Sequence, residues 1–336
     1  MQLCGGLLAI GIIASGAASA LAQQGLHIVP SPFISNSSLN GVAAIADNDI
    51  WAVGVVSGRS DVTLAEHFNG TSWSVIPTPA VQGGEFFAVD GVTSNDVWVV
   101  GSQAAGNSFT ALIEHWNGTS WSVIAGPRVG RGAFLSAIVA ISPNDVWAAG
   151  SNSSSGVLVE HWDGVSWSVI SSAAFGGLGP VLGISADSSN DVWDVGDGMA
   201  LRWNGLTWSQ VPPPSFFRGN AVTVLSPTNV WVAGSRHGEH PDALEEILHW
   251  DGVSWSVSPT VNPFPNHLSS RFTGIAAVSA NNIWAVGSGF AEQWNGSNWS
   301  LVNTPSGVSF IGATALSNGL VVAVGVSNNS AVILQN

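Results

Sequence analysis

A tryptophan-containing phrase recurs six times along the chain. Its consensus is Asn-Asp-Val-Trp-Ala-Val-Gly followed, after a gap, by Glu-His-Trp-Asn-Gly-Thr-Ser-Trp-Ser-Val-Ile, and all 17 tryptophans lie within the copies. The leading tryptophans, spaced by 47, 49, 46, 38 and 53 residues, are Trp51, Trp98, Trp147, Trp193, Trp231 and Trp284. Repeats of this length are supersecondary units that bury their faces only by stacking on neighbours. The repeat therefore predicts an architecture of stacked, similar units.

Each copy contains four strand candidates, which in the third copy are residues 133–141, 146–150, 157–162 and 166–170. The first turn, Pro143-Asn144-Asp145, uses residues that preset tight-turn dihedrals. The last turn, Asp163-Gly164, is a strong hairpin signal between apolar strands. The first two strands are nearly continuous apolar runs, as expected for strands covered on both faces. Such units predict the four-stranded antiparallel blades of an all-β propeller.

A seventh copy lacks its tryptophan. Val322 occupies the tryptophan position, and only one further strand candidate, residues 331–334, follows it. Residues 26–32 match the fourth strand and following turn of the first copy. The sequence therefore predicts seven blades, with an N-terminal strand that completes the last blade and removes an open edge. One domain, residues 23–336, contains the whole ring.

The composition indicates where the protein is located and which partners it can bind. The net charge is −14, with seven arginines and no lysine, so the chain lacks the basic surface that nucleic-acid binding requires. Residues 1–22 resemble a secretory signal peptide, with a short apolar run and small residues after it. The single cysteine, Cys4, lies within that segment. We expect a secreted, extracellular or periplasmic monomer without a membrane span, disulfide or cofactor.

The second strand of each unit resembles the kelch repeat. In Trp98-Val99-Val100-Gly101-Ser102 an aromatic residue precedes valines and a glycine, with serine in place of the second glycine. Arg218 and Arg271 lie thirteen residues before Trp231 and Trp284, where kelch repeats tend to place an arginine, whereas Glu85 and Phe134 stand at that position before Trp98 and Trp147. The resemblance implies a propeller that holds acidic peptide partners through arginines at its central mouth.

Two enzyme classes built on similar propellers conflict with the composition. Copper-radical oxidases similar to galactose oxidase need tyrosines and a tyrosine-cysteine crosslink, and this chain has no tyrosine. Sialidases use a tyrosine nucleophile as well. Neither chemistry is available to this chain.

The repeated polar and aromatic residues are interpreted as structural. The tryptophans lie in strands or beside turns, where their burial stabilises the fold. Adjacent residues of a strand point to opposite faces, so Glu66-His67, Glu114-His115 and Glu160-His161 are not metal pairs, and we expect them to join neighbouring blades by hydrogen bonds. The Asn-Asp pairs ahead of the tryptophans are interpreted as turn formers.

Variable connections single out one rim of the ring. The connections between second and third strands and those between blades vary, including Ser102 to Phe109, Pro77 to Glu85, Ser235 to Glu245 and Pro259 to Arg271. Binding residues concentrate on loops held by a rigid scaffold. The candidate binding residues on this rim are Glu85, Arg131, Arg218, Arg236, His237, His240 and Arg271. His237 and His240 are acceptable zinc ligands, but the segment lacks a convincing third ligand, and no metal site is predicted.

The leading functional hypothesis is a secreted, non-catalytic scaffold that binds an extracellular protein or polysaccharide through this rim. An extracellular hydrolase or lyase that acts on polysaccharides, with Glu85, the central arginines and His237 or His240 in its site, is an alternative. A lectin with one weak carbohydrate site per blade is another. A lectin's sites repeat with the blades, whereas the unrepeated polar residues lie on one rim, which favours a single binding region.

Overall fold

The computed structural model describes residues 25–152, 156–170, 172–214, 216–237, 243–261 and 270–336. The predicted signal peptide and His240 lie outside these residues. The described strands form seven four-stranded antiparallel sheets. In the described part of the chain no helix is long and apolar enough to cross a bilayer.

Blades 1 to 6 contain four consecutive strands each. Blade 7 begins the strand numbering because its outer strand is N-terminal: this strand is β1 (His27–Ile28). Blades 1 and 2 comprise β2 (Ser37–Ala46), β3 (Asp49–Val56), β4 (Val62–Phe68), β5 (Trp73–Val75), β6 (Glu85–Thr93), β7 (Asp96–Ala105), β8 (Ser108–Trp116) and β9 (Trp121–Val123). Blades 3 and 4 comprise β10 (Phe134–Ser142), β11 (Asp145–Asn152), β12 (Gly156–Trp162), β13 (Trp167–Val169), β14 (Val181–Ser188), β15 (Asp191–Gly196), β16 (Met199–Trp203) and β17 (Trp208–Gln210).

Blades 5 and 6 follow the same order, whereas blade 7 combines strands from both ends of the chain. Blades 5 and 6 comprise β18 (Phe217–Ser226), β19 (Asn229–His237), β20 (Ala243–Trp250), β21 (Trp255–Ser258), β22 (Phe272–Ser279), β23 (Asn282–Gly287), β24 (Phe290–Trp294) and β25 (Trp299–Val302). Blade 7 combines β26 (Val308–Ala315), β27 (Val321–Ser327) and β28 (Ser330–Gln335) with β1. A 3₁₀ turn at Ala173–Phe175 lies between blades 3 and 4.

The ring closes through the N-terminal strand, as the sequence predicts. His27 pairs with Gln335 and Ile28 with Leu334, and the Val29 amide donates to the Ile333 carbonyl at 3.0 Å. The seventh blade thereby gains its outer strand, and the edge of β28 is covered. The protein is an all-β, seven-bladed propeller.

The hydrophobic core is divided among the boundaries between blades. Seven clusters of buried residues each combine two neighbouring blades; Trp51 and Val53 of blade 1, for example, pack with Phe86 and Leu112 of blade 2. The second strand of each blade is buried along most of its length because a sheet lies on either side, as in β3 and β15. The first strands do not match the predicted burial on both faces: in β2 and β14, for example, buried residues alternate with half-buried ones. Stacking of neighbours, rather than a single central core, stabilises the ring.

The two rims of the ring differ. The hairpin rim carries the short turns between first and second strands and between third and fourth strands. The variable rim carries the turns between second and third strands and the connections between blades. The predicted variable connection from Ser102 to Phe109 is shorter than expected, since β7 continues to Ala105 and β8 begins at Ser108. A turn at Gly106, whose φ is 66°, joins the extended strands, and glycine adopts this conformation without strain.

Candidate functional site: the mouth of the ring on its variable rim

The repeated tryptophan, histidine and aspartate residues form one hydrogen-bonded unit within a blade. In blade 2, Trp98 Nε1 donates to Asp96 Oδ1 at 2.9 Å, and His115 Nε2 donates to the same oxygen at 2.8 Å. The His115 ring also lies 4.2 Å from the Trp98 ring, measured between centroids. The histidines therefore join the strands of one blade, and the expectation that Glu-His pairs join neighbouring blades by hydrogen bonds is wrong.

The unit tolerates changes of residue type. In blade 5, Asn229 Oδ1 accepts from Trp231 Nε1 at 2.8 Å and from His249 Nε2 at 2.9 Å. In blade 4, Arg202 replaces the histidine and donates to Asp191 Oδ1 at 2.6 Å. The second residue of each Asn-Asp pair thus serves the hydrogen-bonded unit as well as the turn. Interpreting the pairs as turn formers alone missed this role.

Aromatic rings supply part of the contacts between blades. The Trp51 ring of blade 1 lies 5.1 Å from the rings of both Trp116 and Trp121 of blade 2, tilted to one and edge-on to the other. Trp51, Trp193 and Trp284 are among the largest fully buried side chains. Such arrangements favour packing of the quadrupolar ring faces and edges. The structural interpretation of the tryptophans therefore agrees with their positions.

Polar side chains on the innermost strands link successive blades around the mouth. Asn40 Nδ2 donates to the Phe86 carbonyl at 2.8 Å, and Asn220 Nδ2 to the Phe272 carbonyl at 2.7 Å. The hydroxyls of Ser136 and Thr273 donate in the same way to Val181 at 2.6 Å and to Phe310 at 2.9 Å. The equivalent positions of blades 2, 4 and 7 are apolar, so the mouth is chemically mixed. None of these four residues was predicted from the sequence as a site residue.

A cavity of about 390 Å³ opens at this mouth on the variable rim. Its lining combines polar and apolar side chains: Asn40, Glu85, Phe87, Phe134, Ser136, Leu182, Thr273 and Ile311. Phe134 lies 6.2 Å from Phe87 and 6.1 Å from Phe109, between ring centroids. Apolar walls with a few fixed polar groups are typical of a ligand site.

Glu85 supplies a carboxyl group to this cavity. Asn40 Nδ2 donates to Glu85 Oε1 at 3.1 Å. Partial burial raises the pKa of Glu85; the Asn40 hydrogen bond opposes this effect, and the charge of Asp61 adds to it. Glu85 is therefore the predicted site residue that the structure places in the lining of the mouth.

The predicted arginines surround the mouth at different distances. Arg218 is the second residue of β18, the inner strand of blade 5, and its Nε donates to Asn220 Oδ1 at 3.3 Å. Arg271 is exposed just before β22, and Arg131 is exposed in the connection before β10. Arg236 lies further out, where its Nε is 3.3 Å from Glu246 Oε1. Arg236 therefore belongs to an outer cleft with Glu245 and Glu246 rather than to the central cavity.

The structure describes only the backbone of one of the two predicted histidines. His237 is the last residue of β19, and His240 falls outside the described residues. Among the described residues no three histidine, cysteine, aspartate or glutamate side chains form a group suited to a metal ion.

Buried carboxyl groups line the boundaries between blades. Glu66, Glu114 and Glu160, which are at most 1% exposed, have no hydrogen-bond partner for either carboxylate oxygen within the described residues. Burial raises their pKa values to about 7, 8 and 8. Glu292 differs because the Val261 amide donates to its carboxylate, at 3.2 Å from Oε2. These glutamates point away from the histidines beside them, as strand alternation requires.

Comparison with known proteins identifies the fold. No protein-family model matches the chain, and no curated protein sequence matches it. A solved structure titled YCF48 bound to D1 peptide is 16% identical, with a TM-score of 0.67 over 94% of this chain and 98% of that one. The WD40 propeller domain of Doa1 is 14% identical, with a TM-score of 0.65 over 92% of this chain and 97% of that one. Similarity at this level shows the seven-bladed propeller fold.

Proposed function

We propose that this protein is a secreted, kelch-like binding scaffold that holds an extended segment of a partner protein at the mouth on its variable rim. The cavity beside Glu85, Phe87 and Phe134 carries the proposal, because an apolar hollow with fixed polar groups accepts one anchoring side chain. The structure titled YCF48 bound to D1 peptide supports the choice of a peptide, as that propeller is described with one bound.

Exposed aromatic residues extend this surface. Phe33 and Phe216 are exposed in connections of the variable rim, and Phe109 is exposed at the second position of β8, close to the turn at Gly106. Phe216 also has a φ of 68°, a conformation that costs energy in a residue with a β-carbon. Strain that exposes an apolar ring to water favours an interaction role over a packing role.

The arginines are unevenly distributed between the rims. Six of the seven arginines lie in or beside connections of the variable rim: Arg59, Arg128, Arg131, Arg218, Arg236 and Arg271. Arg202, the seventh, pairs with Asp191 at 2.6 Å, near the hairpin rim. In a protein with a net charge of −14, this rim is the surface suited to carboxylates. We infer a partner segment that places an apolar side chain in the mouth and acidic groups on the surrounding arginines.

A displayed library of random peptides, selected against the purified protein, tests this function. We expect selected peptides to combine an aromatic or aliphatic residue with neighbouring acidic residues. The double variant Phe87→Ala/Phe134→Ala should weaken binding more than tenfold, as should Arg218→Ala/Arg271→Ala. Val165→Ser on the hairpin rim, where the native side chain is 83% exposed, is the matched control. Binding that survives both double variants would refute the site, and glycan binding without peptide binding would favour the lectin alternative.

A further inference from the structure

A second cavity lies between blades 2 and 3, away from the mouth. It has a volume of about 410 Å³, which is within the range of small-molecule sites. Its lining includes Ala111 and Ile113 of β8, residues 126–130, and Glu160 of β12. Because residues 126–130 belong to the connection between the two blades, the cavity opens on the variable rim.

Glu160 forms the inner wall of this cavity. Its side chain is about 1% exposed, and neither carboxylate oxygen has a hydrogen-bond partner within the described residues. A buried carboxyl group without a partner is costly in its ionised form, and a cation placed beside it would remove that cost. The wall of the cavity therefore carries an unused acceptor for a positively charged ligand.

The repeat itself shows how the cavity arises. At the boundary between blades 1 and 2, Thr63 and Thr78 occupy the positions that Ala111 and Gly126 occupy between blades 2 and 3. The Thr63 and Thr78 hydroxyls lie 2.7 Å apart and form a hydrogen bond. Both members of this pair are thus replaced by smaller residues beside Glu160. A β-carbon at Gly126 would lie 3.3 Å from Ile113 Cδ1 and 3.6 Å from Glu160 Oε2.

The other boundaries provide contrasts. Glu292, between blades 5 and 6, accepts from the Val261 amide, whereas the position equivalent to Val261 beside Glu160 is Pro127, which has no amide hydrogen. Glu114 is as buried as Glu160, but it faces the side of its blade where Thr63 and Thr78 are bonded. The local sequence beside Glu160 therefore removes both the filling side chains and a backbone donor.

The remaining lining defines the rest of a ligand. Ala111, Ile113 and Val129 provide apolar surface between the buried carboxyl group and the connection. Arg128 is exposed in that connection, and none of the ion pairs within the described residues involves it. Guanidinium groups favour carboxylates. A ligand with an anionic group at the opening and a cationic group at the inner wall would therefore have an oppositely charged partner at each end, Arg128 and Glu160.

We propose that this cavity binds a linear ω-amino acid, with its ammonium group on Glu160, its methylene chain against Ala111, Ile113 and Val129, and its carboxylate on Arg128. The site is separate from the mouth and does not depend on peptide binding there. Ammonium binding requires the ionised form of Glu160.

Ligand binding at this site should also release a proton, which can be measured. Burial raises the pKa of Glu160 to about 8, so near neutral pH the empty site holds a proton that an ammonium ligand displaces. Arg128 is the other charged residue of the lining, while the cross-strand neighbours of Glu160, Ala148 and Val169, are uncharged. Affinity should therefore increase between pH 6 and pH 8, because primary amines remain protonated there.

Isothermal titration with 5-aminopentanoate tests the proposal on the full chain. We expect saturable binding with proton uptake by the buffer, at least fivefold weaker binding of n-pentylamine, and no binding of pentanoate. Glu160→Gln should abolish binding and proton release, whereas Glu114→Gln, the matched buried glutamate, should leave both unchanged. Arg128→Gln should weaken the zwitterion toward the affinity of n-pentylamine.

A filled cavity provides the converse test. Ala111→Thr/Gly126→Thr restores the pair found between blades 1 and 2, so the folded variant should not bind 5-aminopentanoate. No binding of 4-aminobutanoate, 5-aminopentanoate or 6-aminohexanoate at millimolar concentration by the folded wild-type protein would overturn the proposal. Unchanged binding by Glu160→Gln, or an equal loss with Glu114→Gln, would overturn it as well.

Discussion

Asp194 of β15 lies directly opposite Leu201 of β16, at the register where β11 and β12 place Ala148 opposite Glu160. The carboxyl group has moved to the neighbouring strand but remains on the same face of its blade, because directly paired residues share a face. Asp194 is fully buried, and its carboxylate oxygens have no partner within the described residues. A buried acid thus persists at this boundary even where the repeated glutamate is lost.

The buried carboxyl groups make the free energy of unfolding depend on pH. Burial raises the pKa of Glu66, Glu114, Glu160 and Glu292 to about 7 or 8, whereas an unfolded glutamate titrates near 4.5. Between those values the folded state binds more protons than the unfolded state, so the free energy of unfolding falls as pH rises. We expect it to be highest near pH 5 and to fall by on the order of 3 kcal/mol for each carboxyl group by pH 8.

Urea unfolding at pH 5, 6, 7 and 8 measures this effect. Glu114→Gln should flatten the dependence on pH, because its amide does not titrate in this range. Asp187→Asn, an exposed change, serves as the control and should leave the slope as in the wild type. Stability that rises from pH 5 to pH 8 would contradict the assigned cause.

The fold was predictable from the sequence because its signals repeat. Turn residues such as Asp163-Gly164 recur with each unit, and the match between residues 26–32 and the first copy places the closing strand. The site was less predictable because it depends on residues from different blades. The mouth assembles Asn40, Glu85 and Phe134, whose association follows from the curvature of the ring and not from local spacing.

The hydrogen-bonded unit of blade 3 provides a test of structural roles. Asp145 Oδ1 accepts from Trp147 Nε1 and from His161 Nε2, each at 2.8 Å. Asp145→Ala leaves both donors without this acceptor and should lower the free energy of unfolding by roughly 2 to 4 kcal/mol. Asp145→Asn keeps the acceptor, as Asn229 does in blade 5, and should cost less than about 1 kcal/mol. Chemical denaturation compares the two; equal losses would argue against the shared acceptor.

Leu26, the residue before β1, should contribute more to closure of the ring than Ile28 within β1. Leu26 is buried between blades 6 and 7, and its amide donates to the Asn303 carbonyl at 2.9 Å. Leu26→Ala should therefore lower the free energy of unfolding by about 2 to 4 kcal/mol, through lost burial and an unfilled space. Ile28→Ala is the control, since Ile28 is 49% exposed and should lose about 1 kcal/mol or less. Thermal denaturation measures both, and a larger effect of the Ile28 variant would count against this closure.

The last prediction concerns the pKa of Glu85 in the mouth. Asn40 Nδ2 bonds both Glu85 Oε1 and the Phe86 carbonyl, and its bond to Glu85 lowers the pKa of that carboxyl group against the effect of burial. Asn40→Ala removes the bond, so the pKa of Glu85 should rise further above its ordinary value. Carbon-detected NMR titration of the glutamate carboxyl signals measures this change. Asn220→Ala is the matched control, because Asn220 makes the equivalent bond to the Phe272 carbonyl without contacting Glu85. An equal change in the pKa of Glu85 in both variants would show that the change comes from general loosening of the ring and not from the Asn40 bond.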